Sequence, residues 1–290
     1  MQTLCFRDRA AAYRRLIVSC VASFGPVHLL TGMSGNVGDQ LIWAGTRDLL
    51  DDEGIGFEPV DVSAVETIDR RDGVLVVPGS GAHTLLWHGW LPQLVLGASE
   101  RFSAVIVLPS QFDATVGVVR EALARPNVHA FAREARSYEQ IREFGRAAVA
   151  FDCAVYARCL QGGAFGGREP WPLPAPERTR RLVALREDEG SMLARHGVAV
   201  DPRFNRDISR TAAGLEEFLT AVDAADFVIT DRLHVAVTAV MSGRFVRYLD
   251  PFDRKISTYL DFTFRDEIRG RAEPCSVAWL VEQSAVVAGV

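Results

Sequence analysis

Four short segments of this chain carry the residue types that anion binding and proton transfer need. The first, Thr31-Gly32-Met33-Ser34-Gly35-Asn36-Val37-Gly38-Asp39, stands between an apolar run and a helical one. Glycine permits close backbone approach and positive φ, and the start of the following helix offers unpaired N–H groups and a partial positive charge. Such a turn suits a phosphate, a carboxylate or a sugar hydroxyl, with Gly35, Asn36, Gly38 and Asp39 as the candidate contacts. It has neither the dinucleotide-binding nor the P-loop glycine spacing. Taken alone it equally describes a tight strand-to-helix turn capped by Asn36 or Asp39.

The second segment runs from Phe227 to His234 and reads FVITDRLH. Thr230 is a favourable N-cap, so the pattern predicts a helix that begins with Asp231 and holds Arg232, Leu233 and His234 in its first turn. A guanidinium and an imidazole beside free backbone donors would receive a phosphorylated carboxylic acid. Asp231 as a dipole-stabilising acid and Arg232 on a solvated face fit the same letters. The third segment, Leu249-Asp250-Pro251-Phe252-Asp253-Arg254-Lys255, follows the next strand and projects toward the same edge. Lys255 either joins that cationic group or is a surface lysine beside Asp253. In the fourth, Phe131-Ala132-Arg133-Glu134-Ala135-Arg136-Ser137-Tyr138, Arg133 leaves a strand on the cleft side of the first half. It serves there as a facing cation, or else as a partner of acids on a charged helix.

The elements that must position these segments alternate from end to end. Apolar runs at 27–30, 74–77, 104–108 and 128–131 are each followed by a glycine turn, a proline stop or a helix. Strands of four to six successive apolar residues separated by helices indicate a parallel sheet covered on both faces. A helix is expected over about 39–52 and another from the fourth segment through Phe144. Residues 161–176, QGGAFGGREPWPLPAP, hold four glycines and four prolines, which is linker chemistry. Beyond them come strands at 181–185, 227–229 and 245–249, with helices at 213–224 and 231–242. The expected fold is α/β: a Rossmann-like domain over 1–160, the linker, a second Rossmann-like domain over 177–275 and a C-terminal helix over 276–290. Two such domains would face each other across a cleft at the carboxyl ends of their strands.

Composition narrows the function classes. The 290 residues are 48% hydrophobic and 24% charged, which is the balance of a globular protein rather than a disordered or fibrous one. A formal charge of −5 provides no global field for nucleic acid, so an anionic substrate needs local cations. Of 32 basic residues only Lys255 is a lysine, which draws attention to it. Five scattered cysteines without CxxC pairing argue against a metal site and a disulfide framework and fit a reducing cytoplasm. The uncharged stretch 16–38 is broken by Gly25-Pro26, Ser34 and Asn36, so it reads as a surface helix and a strand rather than a membrane span or signal peptide.

In this order the segments resemble the polysaccharide pyruvyl transferase family. The likeness rests on Gly35-Asn36-Val37-Gly38-Asp39 with Leu41-Ile42, Phe131-Ala132-Arg133 before Ser137-Tyr138, Leu185-Arg186-Glu187-Asp188, Thr230-Asp231-Arg232-Leu233-His234 and the stretch from Asp250 to Lys255, over about residues 30–260. Departures are Val235 after the Asp-Arg-Leu-His run, Pro78-Gly79-Ser80-Gly81, Pro109-Ser110-Gln111 and Pro251. The resemblance implies a glycosyltransferase-B-like fold with phosphoenolpyruvate as co-substrate, no other cofactor and no metal. The acceptor would be a sugar or lipid-linked oligosaccharide of exopolysaccharide or cell-envelope synthesis. It further implies action in the cytoplasm or at the inner membrane face, and it is compatible with a homo-oligomer.

On that expectation Arg232, Lys255 and the helix start at Thr230 and Leu233 hold the anionic groups, and Arg133 faces them from the first domain. His234 is then the general acid, Asp39 or Glu134 the base, and Gly35, Asn36 and Gly38 line the site. A nucleotide-sugar glycosyltransferase and a non-catalytic glycan- or anion-binding protein are the competing readings of the same scaffold.

Overall fold

The computed structural model describes residues 5–85, 89–161, 180–188 and 190–282. The Gly/Pro linker expected at 161–176 therefore lies outside the described residues except for Gln161, as does the C-terminal helix beyond Glu282. The chain divides into two compact units, Met1–Ser34 with Ile42–Ala157, and Gly35–Leu41 with Arg158–Val290.

The first unit begins with α1 (Phe6–Ala22), which buries Phe6, Arg9, Ile17 and Val21. It continues through β1 (Val27–Thr31), α2 (Val37–Asp52, whose first residues belong to the second unit), β2 (Phe57–Asp61) and β3 (Arg71–Val77). Then follow α3 (Trp90–Ser99), β4 (Phe102–Ser110), α4 (Gly117–Leu123), β5 (Val128–Ala132), α5 (Ala135–Ile141) and β6 (Ala147–Val149). The six strands form a sheet in the order β2-β1-β3-β4-β5-β6, and every neighbouring pair is parallel. Successive residues Val74–Val77 and Ala104–Leu108 are fully buried, as a sheet covered on both faces requires. The order reverses between β1 and β3, so the turns after those two strands flank a switch point.

Helix α2 packs closely on the loop that follows β6. A Cβ at Gly45 would stand 1.9 Å from the carbonyl oxygen of Cys153. Gly45→Ala must push backbone from backbone and is expected to cost about 1–3 kcal/mol, read as a lower denaturation midpoint at unchanged slope.

The second unit runs β7 (Arg181–Ala184), α6 (Met192–Arg195), α7 (Ile208–Thr211), α8 (Leu215–Asp223), β8 (Phe227–Thr230) and α9 (Leu233–Met241). It closes with β9 (Phe245–Leu249), α10 (Lys255–Thr263), β10 (Ala272–Cys275) and α11 (Val277–Glu282). Its four strands are parallel in the order β10-β9-β8-β7, without a reversal. Val183, Leu185, Leu193, Ile229, Leu249 and Leu280 form the apolar cluster on one face. All nine residues of α9 are buried. Among the described residues no helix is long and apolar enough to cross a membrane.

Candidate functional site

The carboxyl ends of β7, β8, β9 and β10 lie side by side, because Ala184, Thr230, Tyr248 and Pro274 are paired across the sheet. Thr230 is the last strand residue, and the helix starts later than its sequence implies. Its hydroxyl donates to the Ala184 carbonyl at 2.8 Å and accepts the Arg232 amide at 3.0 Å. That turn makes Arg232 the N-cap in extended conformation, and α9 begins at Leu233. The expectation that Thr230 caps a helix starting with Asp231 is corrected accordingly. The Arg232 side chain makes no capping bond to α9, and the positive end of that helix dipole lies at the carboxyl edge of the sheet.

Arg232 is enclosed by carboxylates. Its Nε donates to Asp207 Oδ1 at 2.9 Å, and one terminal nitrogen donates to Asp188 Oδ2 at 2.8 Å and to Asp207 Oδ2. Arg186 grips the same Asp188 through Nε at 2.8 Å and a terminal nitrogen at 3.2 Å. Burial opposes the charge on Arg232, but the bonds and charges of Asp207 and Asp188 hold its pKa above the ordinary value. Burial likewise pushes the Asp188 carboxyl up, and the two guanidiniums outweigh it, holding that group well below the usual carboxylate range. Asn205 fastens the loop after β7, accepting from the Leu185 amide at 2.8 Å and donating to Glu187 Oε1 at 2.8 Å.

His234, at the second position of α9, is 9% exposed. The glycine turn is seated against it: a Cβ at Gly38 would stand 2.9 Å from His234 Cβ and from Nδ1. Within that turn the Gly38 amide donates to Asn36 Oδ1 at 2.8 Å. The Asn36 amide donates to Asp39 Oδ2 at 3.0 Å, which is a reciprocal cap for α2. Gly35 leaves room for this arrangement, since its Cβ would come within 2.7 Å of Asp39 Cβ and Oδ2.

Lys255 is half-buried and is the first residue of α10, after β9. Arg254 before it is held in the left-handed region at φ 52°. Asp250 closes the loop by accepting the Ile256 amide at 3.1 Å and the Ser257 amide at 3.3 Å. The second unit thus seats Gly38 against His234, with Gly35, Asn36 and Asp39 in the same glycine turn. It sets Thr230, Arg232, Leu233 and Lys255 at the ends of the neighbouring strands β8 and β9.

Arg133 belongs to the first unit, at the end of β5. It is 3% exposed and spans Asp152 Oδ2 at 3.3 Å and Gln111 Oε1 at 3.1 Å. Glu134 is the N-cap of α5, accepting the Arg136 amide at 2.6 Å and the Ser137 amide at 2.9 Å. The Ser80 amide donates to Ser110 Oγ at 3.0 Å, and the Arg133 amide donates to the Ser110 carbonyl at 3.0 Å. His83 nearby is 2% exposed, has no hydrogen-bond partner at Nε2 among the described residues and packs on the Phe112 ring at 4.9 Å. Burial lowers its pKa to about 3. It is therefore neutral when folded and takes a proton on unfolding below its ordinary value of 6.5. Acidification from that pH towards pH 3 should destabilise the wild type more than His83→Phe, as followed by thermal midpoints.

Sequence reasoning passed over Asp207, Asn205 and Asp152, and gave Asp188 and Gln111 only places in a family pattern. Each is an ordinary polar residue in a loop, and only the fold gives it a partner. Among the described residues no group of three or more His, Cys, Asp or Glu side chains is arranged to hold a metal ion.

A family model described as polysaccharide pyruvyl transferase matches residues 36–250. No curated protein sequence matches the chain. A solved structure of a functionally uncharacterized protein from Klebsiella pneumoniae shares 18% identity, covers 93% of this chain and 99% of its own, and superposes with a TM-score of 0.69. That likeness establishes the α/β fold. UDP-GlcNAc 2-epimerase from Methanocaldococcus jannaschii is 14% identical over 87% of this chain and 89% of its own, with a TM-score of 0.47.

Proposed function

The chain belongs to the polysaccharide pyruvyl transferase family, and we propose that it transfers the pyruvyl group of phosphoenolpyruvate to hydroxyls of a glycan acceptor, closing a ketal and releasing phosphate. The observation that carries this reading is the seating of Gly38 on His234 at the start of α9. It unites a proton-transfer group with backbone donors suited to a small dianion.

In the proposed reaction the donor's phosphate and carboxylate lie against the α9 amides of Leu233 and its neighbours and against Lys255. Arg232 shapes this pocket instead of adding net charge, since Asp207 and Asp188 already neutralise it. The first sugar oxygen bonds to C2 of the enol as C3 takes a proton from the His234 imidazolium, and the hydroxyl proton passes to Asp39. The second sugar oxygen then bonds to C2 while the C2–O bond to phosphate breaks, and phosphate leaves with that hydroxyl's proton. Proton return from Asp39 to His234 across the turn resets the site. Arg133, in the first unit, is assigned to the acceptor side.

A thermal-shift panel tests the donor. Phosphoenolpyruvate should raise the melting temperature well above the effect of equal uridine diphosphate, since a ligand at 100 times its Kd adds about 2.7 kcal/mol. Stabilisation by the nucleotide alone would replace this reading with a nucleotide-sugar glycosyltransferase. Lys255→Ala should weaken phosphoenolpyruvate binding at least tenfold with the melting temperature of the free protein unchanged. Isothermal titration decides that point.

A further inference from the structure

Asp231 stands at the centre of the strand-end network and is not used by the reaction just described. It is fully buried. One oxygen accepts the Arg186 backbone amide at 2.7 Å, while Oδ2 is buried with no hydrogen-bond partner among the described residues. Arg186 in turn grips Asp188, Asp188 grips Arg232, and Arg232 follows Asp231 in the chain, so the contacts close a ring. An orphaned carboxylate oxygen in the interior is costly, and a neutral isostere would suit the fold better.

We infer that Asp231 is a positioning residue of the donor site: its ionised carboxylate holds the Arg186 amide and thereby the loop that carries Asp188 to Arg232. A charged acceptor grips that amide about twice as strongly as a neutral one, so loss of the charge loosens the loop without removing any side chain from it. The inference rests on the pyruvyl-transfer reading for the words donor site, and on the geometry alone for the rest.

The charged and titratable groups around Asp231 are few. Arg186 faces it from the loop after β7, Asp207 from the segment before α7, and Arg232 from its own turn. Cys275 at the end of β10 also feels its charge. Burial dominates these and raises the Asp231 pKa from 3.8 to about 6. The folded protein therefore binds this proton more tightly than the unfolded chain. Protonated Asp231 favours the fold below about pH 4, and that contribution is lost as pH rises through about 6. At neutral pH the carboxylate is retained against stability, as functional sites often require.

Three measurements decide the matter. In the wild type, hydrogen exchange at the Arg186 amide, corrected for intrinsic rate, should lose protection as the pH falls from 7.5 to 5. Asp231→Asn should melt higher than wild type at pH 7.5, the difference vanishing near pH 4, while the same amide exchanges several-fold faster at pH 7.5. The variant's kcat/KM for phosphate release should fall at least fivefold at pH 7.5 and lack the acid limb near pH 6 that the wild type shows. An Arg186 amide whose protection is independent of pH in the wild type overturns the inference, and this arm needs no variant. So does an Asp231→Asn protein with wild-type exchange or a wild-type pH profile. If exchange and melting behave as expected but the wild type releases no phosphate, the pyruvyl-transfer reading fails and the loop lock stands.

Discussion

Asp207→Ala is expected to cost about 3–5 kcal/mol of folding stability, because it leaves a buried guanidinium without its main counter-charge. Asp207 is fully buried and Arg232 is 6% exposed. Asp207 accepts from both Nε and a terminal nitrogen of Arg232, so no solvent replaces it. Its Oδ2 also receives the Glu187 amide at 3.4 Å, tying the β7 loop to the same carboxylate. The double change Asp207→Asn with Arg232→Met should recover much of the loss, since well-packed neutral residues often substitute for a buried ion pair without penalty. Urea denaturation of the two proteins measures both effects. Equal midpoints for wild type and Asp207→Ala would show that Arg232 finds another partner and that the network is not what fixes the turn before α9.

His234→Gln is expected to lower phosphate release from phosphoenolpyruvate about 10²–10⁴-fold, the range that general acid–base groups contribute. Glutamine keeps similar bulk and hydrogen-bonding capacity but cannot protonate the enol carbon. The melting temperature should move little, and that combination separates a chemical from a packing role. Gly38→Ala approaches the same residue from the other side. Its Cβ would fall 2.9 Å from His234 Nδ1 and from Asn36 Oδ1, so the turn and the imidazole cannot both keep their places. Phosphate release should fall by at least tenfold while α2 keeps its helical content by circular dichroism. Wild-type turnover in both variants would detach His234 from the chemistry and leave the glycine turn as a helix cap.

The interior strands could be read from the letters because burial on both faces demands unbroken apolar runs. Val74–Val77, Ala104–Leu108 and Phe227–Ile229 have that character, and each lies in a strand of a parallel sheet. The edge strands β2 and β10 gave no such signal. β2 contains Glu58 and Pro59 and is mostly exposed or half-buried, and β10 contains Pro274, which an edge tolerates because one side of the strand needs no ladder bonds. The start of α9 was displaced by two residues, since the Thr230 hydroxyl bonds across the sheet to Ala184 instead of capping the helix, and no local propensity encodes a partner 46 residues away.

By itself the sequence determined the alternation of strands and helices, the family motifs and the positions of Arg232, His234 and Lys255 at strand ends. Each of these follows from hydrophobic period and from residue types next to one another in the chain. Only the tertiary structure decided what those side chains do with their charge. It set Asp188 and Asp207 on Arg232 and Asp152 on Arg133, placed Gly38 against His234, and left Asp231 buried with one oxygen unbonded among the described residues. Those pairings join residues far apart in sequence, and their strength depends on desolvation, which exists only once the chain has closed around them.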